Sequence, residues 1–306
     1  MAVNSTAGTA AGTTRRTGVR ALPAPGGMRL PNVLAMGVMF AATSYFLLPM
    51  YWILIASTKS RTALLNSFGL WFSGHFDLGA NLHDMVTYNG GIYVRWLANT
   101  VLYAGVAATL GTLLSAMAGF ALAKYVFRGR DLIFSIILGA ILVPSTALVL
   151  PLYLLMSSIN LTNTYWSVLL PSLVSPFGVY LSRIYAASSV PDDLLDASRV
   201  DGAGEFRTFA TVALRIMSPA LVTVFLFQLV AVWTNYFLPL VMLSDSNLYP
   251  ITVGLQTWFT TSGSSQQIPY NLVVVGSLVS VLPLVLGFLF LQRFWRSGLT
   301  AGGVRG

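Results

Sequence analysis

Long stretches without a charged residue constrain the fold of this chain more than any other feature. Three of them, each 28 or 29 residues long, are residues 30–58, 96–123 and 216–244. Because a helix that crosses a bilayer needs about 20 apolar residues, each of these stretches predicts one span. Residues 132–182 leave room for two more spans around a polar turn, and residues 272–291 for a last one. The sequence therefore predicts an all-α membrane protein with six transmembrane helices.

The composition agrees with a membrane protein and excludes several other classes. Charged residues make up 8% of the chain and apolar residues 56%, whereas a soluble domain usually carries about 25% charged residues. There is no cysteine, which excludes disulfides and thiolate nucleophiles. The formal charge of +8 has two explanations, a nucleic-acid partner or the retention of basic residues on one side of a membrane. The positions of the basic residues distinguish them.

The basic residues fall mostly on one predicted side of the membrane. Fourteen share that side: Arg15, Arg16, Arg20, Arg29, Lys124, Arg128, Arg130, Arg183, Arg199, Arg207, Arg215, Arg293, Arg296 and Arg305. The other side carries Lys59, Arg61 and Arg95. Since positive charge is retained in the cytoplasm, both termini are predicted there, with residues 244–270 outside and no nucleic-acid partner. Residues 1–30 are expected to be a disordered cytoplasmic tail and residues 31–306 the transmembrane domain.

The predicted spans are rich in proline and free of ionisable side chains. Prolines break or kink helices, and so many of them favour an irregular, moving bundle such as a transporter. Ion-coupled carriers usually bury ionisable groups along their pathway, so the spans favour a neutral solute and an energy source outside this chain. An ion-coupled secondary transporter of a neutral solute remains the alternative, and a structural membrane protein fits less well.

An enzymatic role is not predicted. The only histidines, His75 and His83, lie near Asp77 and Asp84 in the first outer loop, where a solvated surface is more common than a metal site. No G-x-x-x-x-G-K-[ST] phosphate loop occurs, so the chain lacks that route to ATP hydrolysis, and no cofactor is expected in it.

Residues 188–217, here called the acidic loop, hold five of the nine acidic residues. Pro191 and the acids after it suit the first turn of a helix, and Gly202 suits a positive φ that ends it. Phe206, Phe209 and Val212 are expected to share one side of a second helix. Because lipid-surface helices are normally basic, the run of acids favours a protein partner over a lipid surface.

Here the chain resembles a known family. Residues 196–203 (DASRVDGA) resemble the E-A-A-x-x-x-G loop of binding-protein-dependent ABC importer permeases. Residues 233–240 (WTNYFLPL) resemble the W-N-x-F-x-x-P-L element of the maltose-type sugar branch, and residues 298–306 (GLTAGGVRG) the tail of its second permease. Four positions depart from the family pattern: Asp196 for Glu, Ser198 for Ala, Thr234 for Asn and Arg215 for Pro.

The resemblance implies a type I (MetI-like) bundle in a bacterial cytoplasmic membrane, and several partners. These are a second homologous permease, two cytoplasmic ATPase subunits that bind ATP and Mg²⁺, an extracytoplasmic solute-binding protein, a sugar and the lipid bilayer. The family loop also implies the residues that couple to an ATPase: Leu194, Asp196, Ala197, Val200, Asp201, Gly202 and Ala203. Of these, Asp196 is expected to meet a basic residue of the ATPase.

A second candidate cluster comes from polar and aromatic residues in the fifth span. Its members are Gln228, Trp233, Asn235 and Tyr236. Such side chains in an apolar span tend to face the protein interior, and aromatic faces with amides suit a sugar. The sequence therefore predicts that this cluster lines the substrate pathway, with helix packing as the alternative explanation of the two aromatic residues.

Overall fold

The computed structural model describes residues 30–265 and 269–301, which are helical apart from short connections. Two units follow each other along the chain, Met1–Pro49 and Met50–Gly306, and the packing described below is that of the second. The α-helices of the described residues are α1 Leu30–Ser57, α2 Arg61–Asn66, α3 Leu78–Thr87, α4 Ile92–Lys124, α5 Arg130–Leu142, α6 Val149–Ser158, α7 Tyr165–Ser172, α8 Pro176–Ser189, α9 Asp192–Val200, α10 Glu205–Thr208, α11 Leu214–Trp233, α12 Phe237–Met242, α13 Ile251–Ser265 and α14 Tyr270–Ala301. The expected disordered tail, apart from Leu30, and the last residues of the C-terminal motif lie outside the described residues.

Five helical stretches are long and apolar enough to cross a membrane: Leu34–Ser57, Leu78–Lys124, Tyr165–Ser189, Glu205–Trp233 and Tyr270–Gln292. A further candidate is the pair α5 and α6, which are bent by 101° relative to each other. The bend lies at Pro144, and Val143 before it has extended backbone, as steric conflict with a following proline requires. The six predicted spans agree with this structure when the bent pair counts as one span.

Helix α4 packs against α8 through small residues. A Cβ atom added to Gly119 would lie 2.6 Å from the backbone nitrogen of Arg183, and one added to Gly178 would lie 2.6 Å from Ser115 Oγ. Neither distance leaves room for a side chain, so the two backbones are in direct contact. Lipid tails are as apolar as leucine, and close backbone approach of this kind supplies the dispersion energy that holds helices together in a membrane.

The break between α7 and α8 follows from Pro176. In a continuous helix the N–H of residue 176 would bond to the carbonyl of Ser172, but proline has no N–H. Gln228 of α11 replaces it, since its buried Nε2 donates to the Ser172 carbonyl at 2.6 Å. A side chain of one span thus satisfies a carbonyl that the sequence of another span leaves unpaired, as a membrane interior requires.

The side of the bundle opposite the acidic loop is more structured than expected. Asn81 of α3 is buried and donates to the carbonyls of Ser57 and Lys59, both at 2.9 Å, while its Oδ1 accepts from Asn271 of α14 at 2.7 Å. These bonds tie the first outer loop to the ends of two spans. His75 and His83 are exposed, and no group of three His, Cys, Asp or Glu side chains that could hold a metal occurs in the part of the chain the structure describes.

Residues 244–270, which are predicted to lie outside the membrane, contain helix α13. Its inner face is apolar, and Trp258 is buried with its ring centroid 5.0 Å from that of Trp96. Its other face carries threonine and other polar side chains. The polar composition of this segment therefore reflects one exposed helix face rather than an irregular loop.

Candidate functional site

The acidic loop contains the helix that its sequence predicts. Helix α9 begins after Pro191, and Asp192 and Asp193 lie in its first turn, where carboxylates favour the positive end of the helix dipole. It ends at Gly202, whose φ is +78°. The N–H groups of Gly202 and Ala203 donate to the carbonyls of Arg199 and Ser198, both at 3.0 Å, which is the Schellman pattern of a glycine-ended helix.

Helix α9 is anchored by a residue that the sequence analysis did not single out. Leu195 is only 2% exposed and packs in an apolar cluster with Phe120 of α4, Phe209 and Met217. This cluster joins the loop to α4 and α11. The sequence pattern did not predict this role for Leu195. Leu194 and Leu195 are adjacent, and either side chain could have faced inward.

Three of the predicted coupling residues, Leu194, Ala197 and Val200, repeat at three-residue spacing along α9 and face outward. Leu194 is 47% exposed and Val200 is 87% exposed, and Ala197 between them is exposed as well. The helix therefore presents an apolar stripe that the described part of this chain does not cover. Asp201 and Gly202 at its end are exposed, and Ala203 is half-buried.

The expectation for the second helix of the loop is wrong in one residue. Phe209 is buried in the Leu195 cluster, but Phe206 is 73% exposed. The chain changes from the α-helical turn Glu205–Thr208 to a π-helical turn, Phe209–Ala213, between them. Phe206 lies in the first turn of α10, ahead of the π-helical turn, and the described part of the chain does not cover it there. Phe206 thus adds to the apolar surface beside α9.

Charged side chains fasten the loop to the end of α4. Lys124 Nζ lies 2.8 Å from Asp192 Oδ1, and Tyr125 donates to Glu205 Oε2 at 2.6 Å. Burial and the hydrogen bond to Glu205 raise the pKa of Tyr125 to about 12, so its hydroxyl stays protonated and donating at neutral pH. Arg199 completes the arrangement between Asp196 and Glu205.

Arg199 bridges the two helices of the loop. Its guanidinium donates to Asp196 Oδ1 at 2.8 Å and to Glu205 Oε1 at 2.9 Å. These bonds raise the pKa of Arg199 above its ordinary value. The pairs are exposed and add little stability, but they fix the angle between α9 and α10. Asp196 has a cation within its own chain, and its contact with a cation of an ATPase stays a prediction.

Three residues of the fifth-span cluster are engaged in holding the bundle together. Gln228 bonds the Ser172 carbonyl as described above, and the buried Trp233 donates from Nε1 to the Ser280 carbonyl of α14 at 3.2 Å. Asn235 follows the end of α11, and its Oδ1 accepts from Leu238 N at 3.3 Å in the first turn of α12. Their place in a substrate pathway stays a prediction.

Tyr236 differs from the other three because it lines a cavity. This cavity, about 460 Å³ in volume and called the outer cavity below, lies between the end of α1, the start of α12, α13 and α14. Aromatic and polar side chains share its wall, among them Trp52, Gln256, Phe259 and Tyr270. Its volume lies in the range of roughly 300–1,000 Å³ that small-molecule sites occupy.

Comparison of the sequence with known protein families identifies the family of this chain. Residues 111–299, which include the acidic loop, match the family described as the binding-protein-dependent transport system inner membrane component. The chain belongs to this family. It is a permease component that crosses the membrane several times, and the membership decides against the ion-coupled carrier that the sequence left as an alternative.

Several curated permeases resemble this one over nearly their whole length. The arabinooligosaccharides transport system permease protein AraQ of Halalkalibacterium halodurans is 35% identical over 84% of this chain and 91% of its own. The maltodextrin transport system permease protein MdxG of Bacillus subtilis is 31% identical over 83% and 90%. The lactose transport system permease protein LacG of Rhizobium radiobacter is 27% identical over 89% and 96%.

A solved structure has the same fold. It is a bacterial ABC transporter involved in the import of the acidic polysaccharide alginate, and one of its chains superimposes with a TM-score of 0.75 at 21% identity. The match covers 87% of this permease and 97% of that chain. The helical bundle is therefore that of an ABC importer permease, as the sequence predicted.

Proposed function

We propose that this permease carries a sugar, either a monosaccharide or an oligosaccharide, into a bacterial cell as one subunit of an ATP-driven importer. The names of the relatives AraQ, MdxG and LacG state transport of arabinooligosaccharides, maltodextrin and lactose. Membership of the permease family supports two partner ATPases that bind ATP and Mg²⁺ outside this chain. A second homologous permease and an extracytoplasmic solute-binding protein complete the assembly.

The distribution of basic residues supports one orientation of the protein in the membrane. Both termini and the acidic loop face the cytoplasm, since 14 of the 17 basic residues fall on that side. The outer cavity then opens from the opposite half of the bundle. This arrangement separates the solute from the ATPases, so the protein itself has to transmit the coupling.

The observation that carries the proposal is the outward-facing apolar stripe of α9 on a firmly held loop. Leu194, Ala197 and Val200 offer apolar contact to a groove of an ATPase, while Leu195 fixes the opposite face of the helix to α4 and α11. When the ATPases close on ATP, a push on α9 reaches both transmembrane helices through that cluster. Such rigid-body motion is sufficient to switch the bundle between inward-facing and outward-facing states.

The outer cavity supports a sugar as the solute. Sugars offer C–H faces that stack on aromatic rings and hydroxyls that bond to amides and phenols. Tyr236, Gln256 and Tyr270 supply both kinds of contact at one cavity wall. Next to Tyr236 along the chain, Trp233 connects α11 to α14 and Asn235 accepts a hydrogen bond in the first turn of α12, while Gln228 connects α11 to α7.

ATP hydrolysis by the complete complex tests the proposal. The complex is reconstituted in liposomes with its solute-binding protein, and a panel of arabino-oligosaccharides, malto-oligosaccharides and lactose is compared with amino acids and peptides. At least one sugar should stimulate hydrolysis. Stimulation by amino acids or peptides alone would contradict the sugar assignment.

A variant of the outer cavity tests whether this subunit contributes to the pathway. Tyr236→Ala should lower uptake of the stimulating sugar severalfold, while the isolated binding protein still binds that sugar as before. Phe290→Ala, at an exposed aromatic residue of α14, is the matched control and should transport normally. Equal uptake by the two variants would remove the outer cavity from the pathway.

A further inference from the structure

A second cavity lies between α4, α11 and α14, separate from the outer cavity. Its volume is about 530 Å³, and it forms an open groove. Leu113, Leu221, Val222, Phe225 and Leu291 make its wall almost entirely apolar. An apolar groove on a membrane-spanning bundle is filled in the cell, since the surrounding medium consists of acyl chains and other helices.

One charged residue, Arg215, lines this groove. It is exposed, and among the residues that the structure describes it has no ion pair or hydrogen-bond partner. It is also one of the positions at which the sequence departs from the family pattern. A guanidinium beside an apolar groove needs an anion that can lie at the edge of the hydrocarbon region, and a planar guanidinium suits phosphate oxygens well.

The dimensions of the groove match one half of a bilayer. Along α11 it runs from Arg215 to Phe225, ten residues, which at 1.5 Å per residue is about 15 Å. The hydrocarbon core of a bilayer is about 30 Å thick, so the groove is about one leaflet long. Arg215 lies at the end nearest the acidic loop, where the headgroups of that leaflet lie.

We propose that this groove binds an anionic glycerophospholipid from the leaflet on the acidic-loop side. The phosphate pairs with Arg215, and an acyl chain lies along Val222 and Phe225. A helix of a partner subunit is the competing occupant, and the crosslinking experiment below distinguishes it from lipid.

Native mass spectrometry of the assembled complex tests the proposal. The complex is exchanged into mixtures of phosphatidylglycerol and phosphatidylcholine with identical acyl chains, and bound lipids are counted. The wild type should retain phosphatidylglycerol in preference. Arg215→Gln should weaken that retention about fivefold, which is the effect of roughly one cation at an anionic surface. Arg128→Gln, an exposed arginine in another loop, is the matched control and should bind as the wild type does.

A second variant separates the acyl groove from the headgroup contact. Val222→Trp fills the groove and should lower retention of both lipids equally. Arg215→Gln should lower that of phosphatidylglycerol more than that of phosphatidylcholine, whose choline group already offsets the charge of its phosphate. Equal retention by Arg215→Gln and Arg128→Gln, or no preference of the wild type between the lipids, would overturn the proposal. A photoreactive amino acid at residue 222 that crosslinks to another subunit rather than to lipid would overturn it in favour of a protein occupant.

Discussion

The acidic loop and the fifth-span cluster are both predicted functional regions, but their polar and apolar side chains lie in opposite arrangements. In the loop, the polar residues Asp192, Arg199 and Glu205 hold the backbone in place, and the apolar side chains of α9 face outward. In the span, the polar side chains of Gln228 and Trp233 donate hydrogen bonds to backbone carbonyls inside the bundle. The first arrangement leaves a surface to be covered, while the second closes an internal gap.

The difference follows from the surroundings of each region. Water can satisfy an exposed polar group next to the loop, so exposed apolar side chains there are the unusual feature and indicate a partner. Within the bilayer no water is at hand, so every carbonyl that a proline frees must find a donor in the protein. A polar side chain in a span is therefore first tested for a hydrogen bond that holds the bundle together, and only then for contact with a substrate.

The largest expected effect tests the outward face of α9. Val200→Asp should weaken association with the ATPase subunits at least tenfold, because a charge replaces the most exposed apolar side chain of the stripe. The melting temperature of the purified permease should not change, since Val200 is exposed. Pull-down titrations with detergent-solubilised subunits measure the effect.

The control for this variant is Val126→Asp, at a valine that is 93% exposed in a different loop. It should leave ATPase association unchanged. If both variants associate normally, the stripe on α9 is not the docking surface and the comparison between the two regions fails.

A smaller effect tests the structural role of Gln228. Gln228→Leu leaves the buried Ser172 carbonyl without a donor and should lower the free energy of unfolding by about 1–3 kcal/mol. Thr223→Val on the same helix removes a longer bond of 3.4 Å from a half-buried hydroxyl and serves as the control. Unfolding of both proteins by denaturing detergent measures the difference. Normal stability of Gln228→Leu together with lost transport would instead assign Gln228 to the pathway.

The smallest effect concerns the turn after α9. Gly202 has φ of +78°, and no atom lies within 4 Å of a Cβ added there, so a substitution meets backbone strain but no clash. Gly202→Val should cost about 1–2 kcal/mol locally and weaken ATPase association severalfold, whereas Gly202→Asn, which tolerates this conformation, should associate almost normally. Amide hydrogen exchange at residues 202–203 reports the strain. Equal weakening by both variants would show that close approach of the ATPase, not the turn, requires glycine.

The fold was predictable because two physical rules act along the sequence: a bilayer span excludes charge, and particular residues begin and end helices. Charge-free stretches gave the spans, and the positions of Pro191 and Gly202 gave the ends of α9, which the structure confirms. The helix α13 was missed because its polar face dominates its composition. Phe206 was misplaced because helical spacing groups it with Phe209, whereas the packing of the loop decides which side chain at the start of α10 is covered.

The sequence by itself determined that the chain is an all-α membrane protein with charge-free spans and a helix that begins after Pro191 and ends before Gly202, because bilayer thickness and helix-end chemistry act on local residues. Only the tertiary structure decided which leucine of the pair Leu194 and Leu195 is buried, and that Gln228 serves the carbonyl opposite Pro176. It also brought Arg215 to the edge of an apolar groove. These facts depend on which helices become neighbours, and that choice is made by close packing between residues far apart in the chain.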